Sequence, residues 1–226
     1  MSTYLFLSEK SWHDSLFESL KSAMPDANWL KMNDKVSFTK NYLNEIKPDK
    51  IFIPHWSHII PATIYDSFEC VVFHMTDLPY GRGGSPLQNL IVRGHKSTKI
   101  SAIKVSKGID TGDVYLKSDL SLNGTATEIF SRSISVIEEM IKEIIKNNPI
   151  PKKQEGEVVE FKRRKPEDSN ISELQNVLEV YDYIRMLDCE GYPNAFAEIG
   201  NFRFEFTKAS ENEDKSIIAN VRITQK

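Results

Sequence analysis

A parallel β-sheet covered by helices, the doubly wound α/β class, is what the sequence predicts. Three observations predict it. Apolar strand segments alternate with amphipathic helical segments through the first ninety residues, prolines close the first two helices, and the fourth strand runs into a glycine-rich turn rather than into more core.

Each element has its own signal. Tyr4 to Leu7 (YLFL) reads as a buried strand. Ser11 to Met24 places Trp12, Leu16, Phe17 and Leu20 on one helical face, and Pro25 stops it. Asn28 to Met32 reads as a second strand. Lys35 to Ile46 carries Val36, Phe38, Tyr42, Leu43 and Ile46 at helical spacing, closed by Pro48. Ile51 to Pro54 and Cys70 to Met75 read as the third and fourth strands, with a helical turn at Ile64 to Phe68 between them. Pro86 to Arg93 reads as helix, Lys99 to Val105 as strand, and Gly112 to Leu122 as a strand pair introduced by the turn GIDTG. Thr125 and Glu128 form a T-x-x-E capping box for a helix with an apolar stripe from Ile129 to Ile145. The composition changes after Pro149. Residues 149–165 form a polar linker, Ser172 and Gln175 cap an amphipathic helix from Leu174 to Leu187, and Phe202–Phe206 with Ile217–Ile223 form a β-hairpin. The boundaries that follow are a catalytic domain over residues 1–150 and an α+β extension over residues 151–226.

Composition narrows the class. Hydrophobic residues make up 40% and charged residues 27% of 226 residues, with a net charge of −3, which is ordinary for a globular protein. No overall positive field favours nucleic acid, and the basic run Lys162 to Lys165 reads as a solvated linker. No apolar run approaches the roughly 18 residues that span a membrane. The opening MSTYLFLSEKSW has no basic leader, so a cytoplasmic protein is expected. Cys70 and Cys189 supply neither a disulfide framework nor metal spacing; Cys70 reads as a buried thiol. His55 and His58 lack a third ligand nearby and read as polar groups at a pocket mouth, so no metal is expected.

Chemistry concentrates in two segments, VVFHMTDLPYGRGGSP (Val71–Pro86) and GIDTGD (Gly108–Asp113). In an open parallel sheet, ligands bind beyond the carboxyl ends of the strands, where His74 falls. Gly81, Gly83 and Gly84 permit close backbone approach to a ligand, and Arg82 suits an anion. Asp110 lies in the second glycine-flanked turn, and a carboxylate beside an imidazole fixes its tautomer. A satisfied core histidine and a solvated turn aspartate are the plain alternatives.

HMTDLPYGRGGSP followed by GIDTGD resembles the folate-dependent formyltransferases, a family that includes methionyl-tRNA, glycinamide ribonucleotide and sugar N-formyltransferases. The family histidine matches His74, its serine position holds Thr76, its Leu-Pro and Arg-Gly match Leu78–Pro79 and Arg82–Gly83, and its aspartate turn matches Asp110-Thr111-Gly112. The resemblance implies a Rossmann-like formyltransferase domain with 10-formyltetrahydrofolate as cosubstrate. It implies His74 and Asp110 as catalytic residues and Trp56, Ile59, Ile60, Pro61, Gly108 and Ile109 as the folate wall, although Trp56 reads equally as core. It implies substrate contacts from Asp77, Tyr80, Gly81, Arg82, Gly83 and Gly84. One position departs: the family asparagine, two residues before the histidine, is Val72, which cannot donate to the formyl oxygen. A protonated His74, Thr76, Asn89 or a backbone N–H would serve in its place, and the sequence does not choose among them.

YDYIRMLDCEGYPNAF (Tyr181–Phe196) and PHWSHIIP resemble the sugar N-formyltransferase branch, nearest the formyltransferase of pseudaminic-acid biosynthesis and a related formylation domain of nonribosomal peptide synthetases. The implied partner is a nucleotide-linked amino sugar, a UDP-bound amino-dideoxy-N-acetyl-altrosamine, with no nucleic acid. A transfer RNA substrate is disfavoured because only the mixed-charge residues 151–226 follow the catalytic domain. Formylation of an aminoacyl or peptidyl amine, and a catalytically weak folate- or nucleotide-sugar-binding module, are the alternatives. Monomer and homodimer are left open.

Overall fold

The computed structural model describes residues Met1–Lys226. Eleven strands and six α-helices follow one another. The order begins β1 (Thr3–Leu7), α1 (Asp14–Ala23), β2 (Asn28–Met32), α2 (Lys40–Ile46), β3 (Lys50–Pro54), α3 (Ala62–Tyr65) and β4 (Cys70–His74). It continues with β5 (Tyr80–Gly83), α4 (Pro86–Ile91), β6 (Ser97–Lys104), β7 (Val114–Ser121) and α5 (Ala126–Asn147). It ends with β8 (Val159–Phe161), α6 (Val177–Arg185), β9 (Ala195–Ile199), β10 (Phe202–Glu211) and β11 (Ile217–Gln225). The chain forms two compact units. One comprises Met1–Gly83, Thr98–Leu120 and Ser131–Glu160; the other comprises Gly84–Ser97, Ser121–Phe130 and Phe161–Lys226.

The first unit is built on a six-stranded sheet of order β2-β1-β3-β4-β6-β7. β1 runs parallel to β2 and β3, and β3 runs parallel to β4. Strand periodicity of two divides the apolar residues between two faces. Leu5, Leu7, Ile51 and Ile53 pack on one side with Leu43 of α2 and Ile64 of α3. Tyr4, Phe6 and Phe52 alternate with them and meet aromatic partners, Tyr4 with Trp29 at 5.1 Å and Phe6 with Phe17 of α1 at 5.8 Å between ring centroids. Ser19 of α1 donates to Glu138 of α5 at 2.7 Å, tying those helices together. Each fully buried aliphatic or aromatic side chain in these layers contributes about 1.5–3 kcal/mol. The expected Rossmann-like α/β architecture is therefore present, and no helix is long and apolar enough to cross a membrane.

Several boundaries differ from the sequence reading, each for a local reason. β6 runs antiparallel to β4, with His74 opposite Ser101, so the sheet is mixed rather than wholly parallel. Residues 112–122 supply one strand, β7, not a pair. α2 begins at Lys40 instead of Lys35. Asp34 instead accepts the Ser37 N–H at 2.7 Å in a local turn, Thr39 caps the Tyr42 N–H at 3.3 Å, and Val36 is exposed.

In the second unit, β9, β10 and β11 form an antiparallel sheet. β9 extends the expected hairpin to three strands. α6 packs on β10 and starts at Val177, capped by Asn176, which accepts the Leu178 N–H at 2.8 Å; Ser172 and Gln175 are not its caps. Arg185 is 3% exposed and anchors the unit by donating to Leu122 O at 2.7 Å and Gly124 O at 2.8 Å while pairing with Asp182 at 2.6 Å. The capping box that opens α5 is formed as read, with Thr125 N–H donating to Glu128 Oε2 at 2.7 Å and Glu128 N–H to Thr125 Oγ1 at 3.3 Å.

Candidate active site

β4 carries its residues out of the core toward the carboxyl edge of the sheet. Val72 and His74 share one strand face because side chains alternate. His74 is 9% exposed. Its Nε2 lies 2.7 Å from Gly81 O, and a carbonyl only accepts, so the proton sits on Nε2. That leaves Nδ1 facing the Asp110 carboxylate at 3.5 Å. Such a pair holds a shared proton when His74 is charged, and 3.5 Å leaves room for it to tighten around a substrate. Asp110 takes a left-handed φ of 53°, which non-glycine residues adopt only when their surroundings hold them there. Its Oδ2 accepts the Gly83 N–H at 2.9 Å. The two sequence segments thus meet: a strand-end imidazole, a turn carboxylate and the glycine turn of β5.

The turns fold this way for identifiable reasons. Gly81 and Gly83 have φ of 79° and 103°, a region that side chains avoid. A Cβ on Gly112 would sit 1.7 Å from Lys104 O, so the loop closes only with glycine there. The remaining residues implied at the site have defined partners. Asp77 pairs with Lys117 at 2.5 Å, and Lys117 also donates to Leu78 O. Tyr80 N–H donates to Asp77 O at 3.1 Å. Arg82 donates through Nε and Nη2 to Gln154 Oε1 at 3.1 and 2.8 Å.

Of the replacements for the missing asparagine, Thr76 and Asn89 have their donors engaged. Thr76 is fully buried and its hydroxyl donates to Gly81 O at 3.3 Å. Asn89, in the second unit, donates to Gly84 O, Ser85 O and Lys162 O at 3.0, 3.1 and 2.9 Å, and its oxygen accepts from Arg93 at 2.9 Å. Gly84 also belongs to that unit, where a Cβ on it would collide with Arg163 Cβ at 2.5 Å.

The residues implied for folate are divided in their exposure. Ile60 is buried, Trp56 packs edge-on against Phe38 with ring centroids 6.3 Å apart, and Ile59 and Ile109 stand 81% and 63% exposed. Pro61 is the N-cap of α3, and Gly108 has φ 104°. Next to these segments in sequence is a cavity of about 510 Å³ lined by Ala62, Tyr65 and Asp66 and by residues 104–107, including Lys104 and Lys107. That cavity had no signal in sequence reasoning. Nor did Gln154, which lies in the segment read as linker.

A pair of histidines, His13 and His55, lies at the same strand edge. Ser8, His55 and Met75 directly follow β1, β3 and β4. His13 Nδ1 is 2.6 Å from Ser8 Oγ, His13 Nε2 is 3.1 Å from His55 Nδ1, and His55 Nε2 is 3.2 Å from Met75 Sδ. A thioether only accepts, so the protons run one way, from Ser8 to His13 to His55 to Met75. Burial, aided by His55 and nearby lysines, lowers His13 to about 2; burial and Lys10 lower His55 to about 4. His58 instead pairs with Glu9 at 2.9 Å.

Comparison with known proteins assigns the chain. Residues 18–136 match the formyl transferase family, and residues 166–224 match the C-terminal domain of methionyl-tRNA formyltransferase. The solved methionyl-tRNA formyltransferase from Clostridium thermocellum is 50% identical, covers 100% of both chains and superposes with a TM-score of 0.97. The curated methionyl-tRNA formyltransferase of Clostridium beijerinckii is 26% identical over 88% of this chain and 66% of its own length. The chain spans between 42% and 66% of the curated relatives compared. A likely sugar N-formyltransferase from Mycobacterium tuberculosis is 16% identical with a TM-score of 0.72 and shares the fold alone.

These findings correct the sugar branch, the pseudaminic-acid pathway, the nucleotide-linked amino sugar and the exclusion of nucleic acid. Glycine, proline and aromatic spacing in Tyr181–Phe196 resembled the sugar enzymes, yet the surrounding residues match a methionyl-tRNA formyltransferase domain. Whole-chain net charge also misled, because it averages the basic run Lys162 to Lys165 with acidic surface elsewhere. With a match over more than half its length and 50% identity along the whole of a solved relative, the chain belongs to the formyl transferase family.

Proposed function

We propose that the protein is an N-formyltransferase that moves the formyl group of 10-formyltetrahydrofolate to the amine of methionyl-tRNA. The single observation that carries the reading is the His74–Asp110 pair, 3.5 Å apart beside the glycine turn at the carboxyl edge of the sheet. The 50% identity to a methionyl-tRNA formyltransferase and the match of residues 166–224 support the acceptor.

Transfer joins the amine nitrogen to the formyl carbon and breaks the formyl bond to the folate nitrogen; one proton leaves the amine and one arrives at the folate. His74, on the strand face it shares with Val72, takes the amine proton or steadies the oxyanion. Asp110 holds the imidazole and carries the proton onward. Folate fits the chemistry of the cavity at α3: Tyr65 and Val105 suit a flat ring, and the ammoniums of Lys104 and Lys107 suit carboxylates. Exposed Lys162 and Arg163 of the second unit suit RNA phosphates.

The test is formyl transfer by the purified chain from 10-formyltetrahydrofolate to methionyl-tRNA, with UDP-amino sugars in parallel. Acid-stable formylmethionine released from the tRNA is the expected product. Its absence, with formyl sugar formed instead, overturns the acceptor.

A further inference from the structure

We infer that Gln154 is a positioning residue for the catalytic pair, holding the backbone of the Asp110 turn and the Arg82 side chain of the glycine turn. The inference rests on the proposed function.

Residues 152–158 are exposed except Gln154, which alone is turned inward. The segment is tied down on one side by reciprocal bonds between Val114 and Lys152, at 2.7 and 2.9 Å. On the other side Val159 N–H donates to Pro79 O at 3.3 Å. Between these anchors the Gln154 amide uses its whole hydrogen-bonding capacity. Oε1 accepts from Arg82 Nε and Nη2 at 3.1 and 2.8 Å, and Nε2 donates to Asp110 O and Gly112 O, both at 2.8 Å. Only this orientation of the amide works, since the flipped one would set donor against guanidinium and acceptor against carbonyls.

The consequence is specific. One nitrogen holds the two peptide planes that follow Asp110 and Gly112, and so restrains the turn in which Asp110 takes its φ of 53°. The same side chain fixes Arg82, whose neighbour Gly83 donates its N–H to Asp110 Oδ2 at 2.9 Å. Carboxylate and donor are therefore set from one point. Substrate-facing geometry displaced by about 1 Å costs on the order of 10²-fold in rate.

The experiment compares Gln154→Ala, Gln154→Met and Gln154→Glu with the wild-type chain by steady-state kinetics and by amide hydrogen exchange at Gly83 and residues 108–113 without substrate. Met keeps the volume and loses every bond; Glu keeps the pairing with Arg82 and loses both donations. All three are expected to lower kcat about 10- to 100-fold, with KM for 10-formyltetrahydrofolate changed less than about threefold and with faster exchange at Gly83. A Gln154→Glu protein with wild-type kcat and wild-type exchange overturns the inference, and so does a Met variant that behaves as wild type. If the wild-type chain transfers no formyl group, the proposed function fails, and exchange at Gly83 in Gln154→Glu still decides this inference.

Discussion

A histidine–histidine pair and a histidine–aspartate pair sit at one strand edge of the first unit, and they differ in what faces the rings. His13 and His55 face each other, a serine and a thioether, and burial holds both neutral down to acid pH. His74 faces a carboxylate on one nitrogen and a carbonyl on the other. The first arrangement is a closed relay in which every proton already has an acceptor, so it fastens β1, β3 and β4 together. The second leaves a proton to be shared between imidazole and carboxylate, which is what acid–base chemistry needs. Proximity of histidines does not make a site; the partner does.

The largest expected contrast is in rate. His74→Ala lowers kcat by about 10²–10⁴-fold, while His13→Ala keeps kcat within about threefold of wild type and shows instead as a lower thermal midpoint; equal losses of kcat in both would erase the distinction. Next in size is Val72→Asn. It places a donor on the face that His74 occupies and is expected to raise kcat by up to about 10²-fold, the scale of one oxyanion donor. No gain in kcat from a folded variant means the formyl oxygen is held elsewhere.

The buried pair also predicts an acid transition. Both folded values lie below the free value of about 6.5, so the unfolded chain takes up protons first. Stability from neutral His55 is full above pH 6.5 and drains away as pH falls toward its folded value of about 4, a loss on the order of 3 kcal/mol. Urea midpoints between pH 7 and pH 4 measure it, and His55→Gln should flatten that slope. The smallest effect lies in the second unit. Lys162→Glu with Arg163→Glu should raise KM for methionyl-tRNA about tenfold through lost phosphate contacts and leave KM for folate unchanged. A matching rise in both constants would point to misfolding instead.

Legibility tracked how local each determinant is. The apolar runs of β1, β3 and β4 and the Thr125–Glu128 box are short-range signals, and each formed where it was read. His74 stood out because its strand runs on to a glycine-rich turn, Asp110 because glycines flank its turn, and the structure brings them within 3.5 Å. Gln154 had no signal, since its four bonds reach Arg82, Asp110 and Gly112 across dozens of residues. β9 was missed because its ladder is supplied by β10 and not by any signal within its own five residues. The acceptor was misread because a motif of glycine and aromatic residues serves more than one branch of the family.

The most direct test of the central claim, that His74 and Asp110 act as one unit, is a double-mutant cycle on formyl transfer to methionyl-tRNA. His74→Ala, Asp110→Ala and the double variant are compared by kcat at pH 7. Residues that work as a unit are non-additive, so the double variant should be no slower than the slower single one. Losses that multiply, giving a double variant as slow as the product of the two singles, would contradict the account.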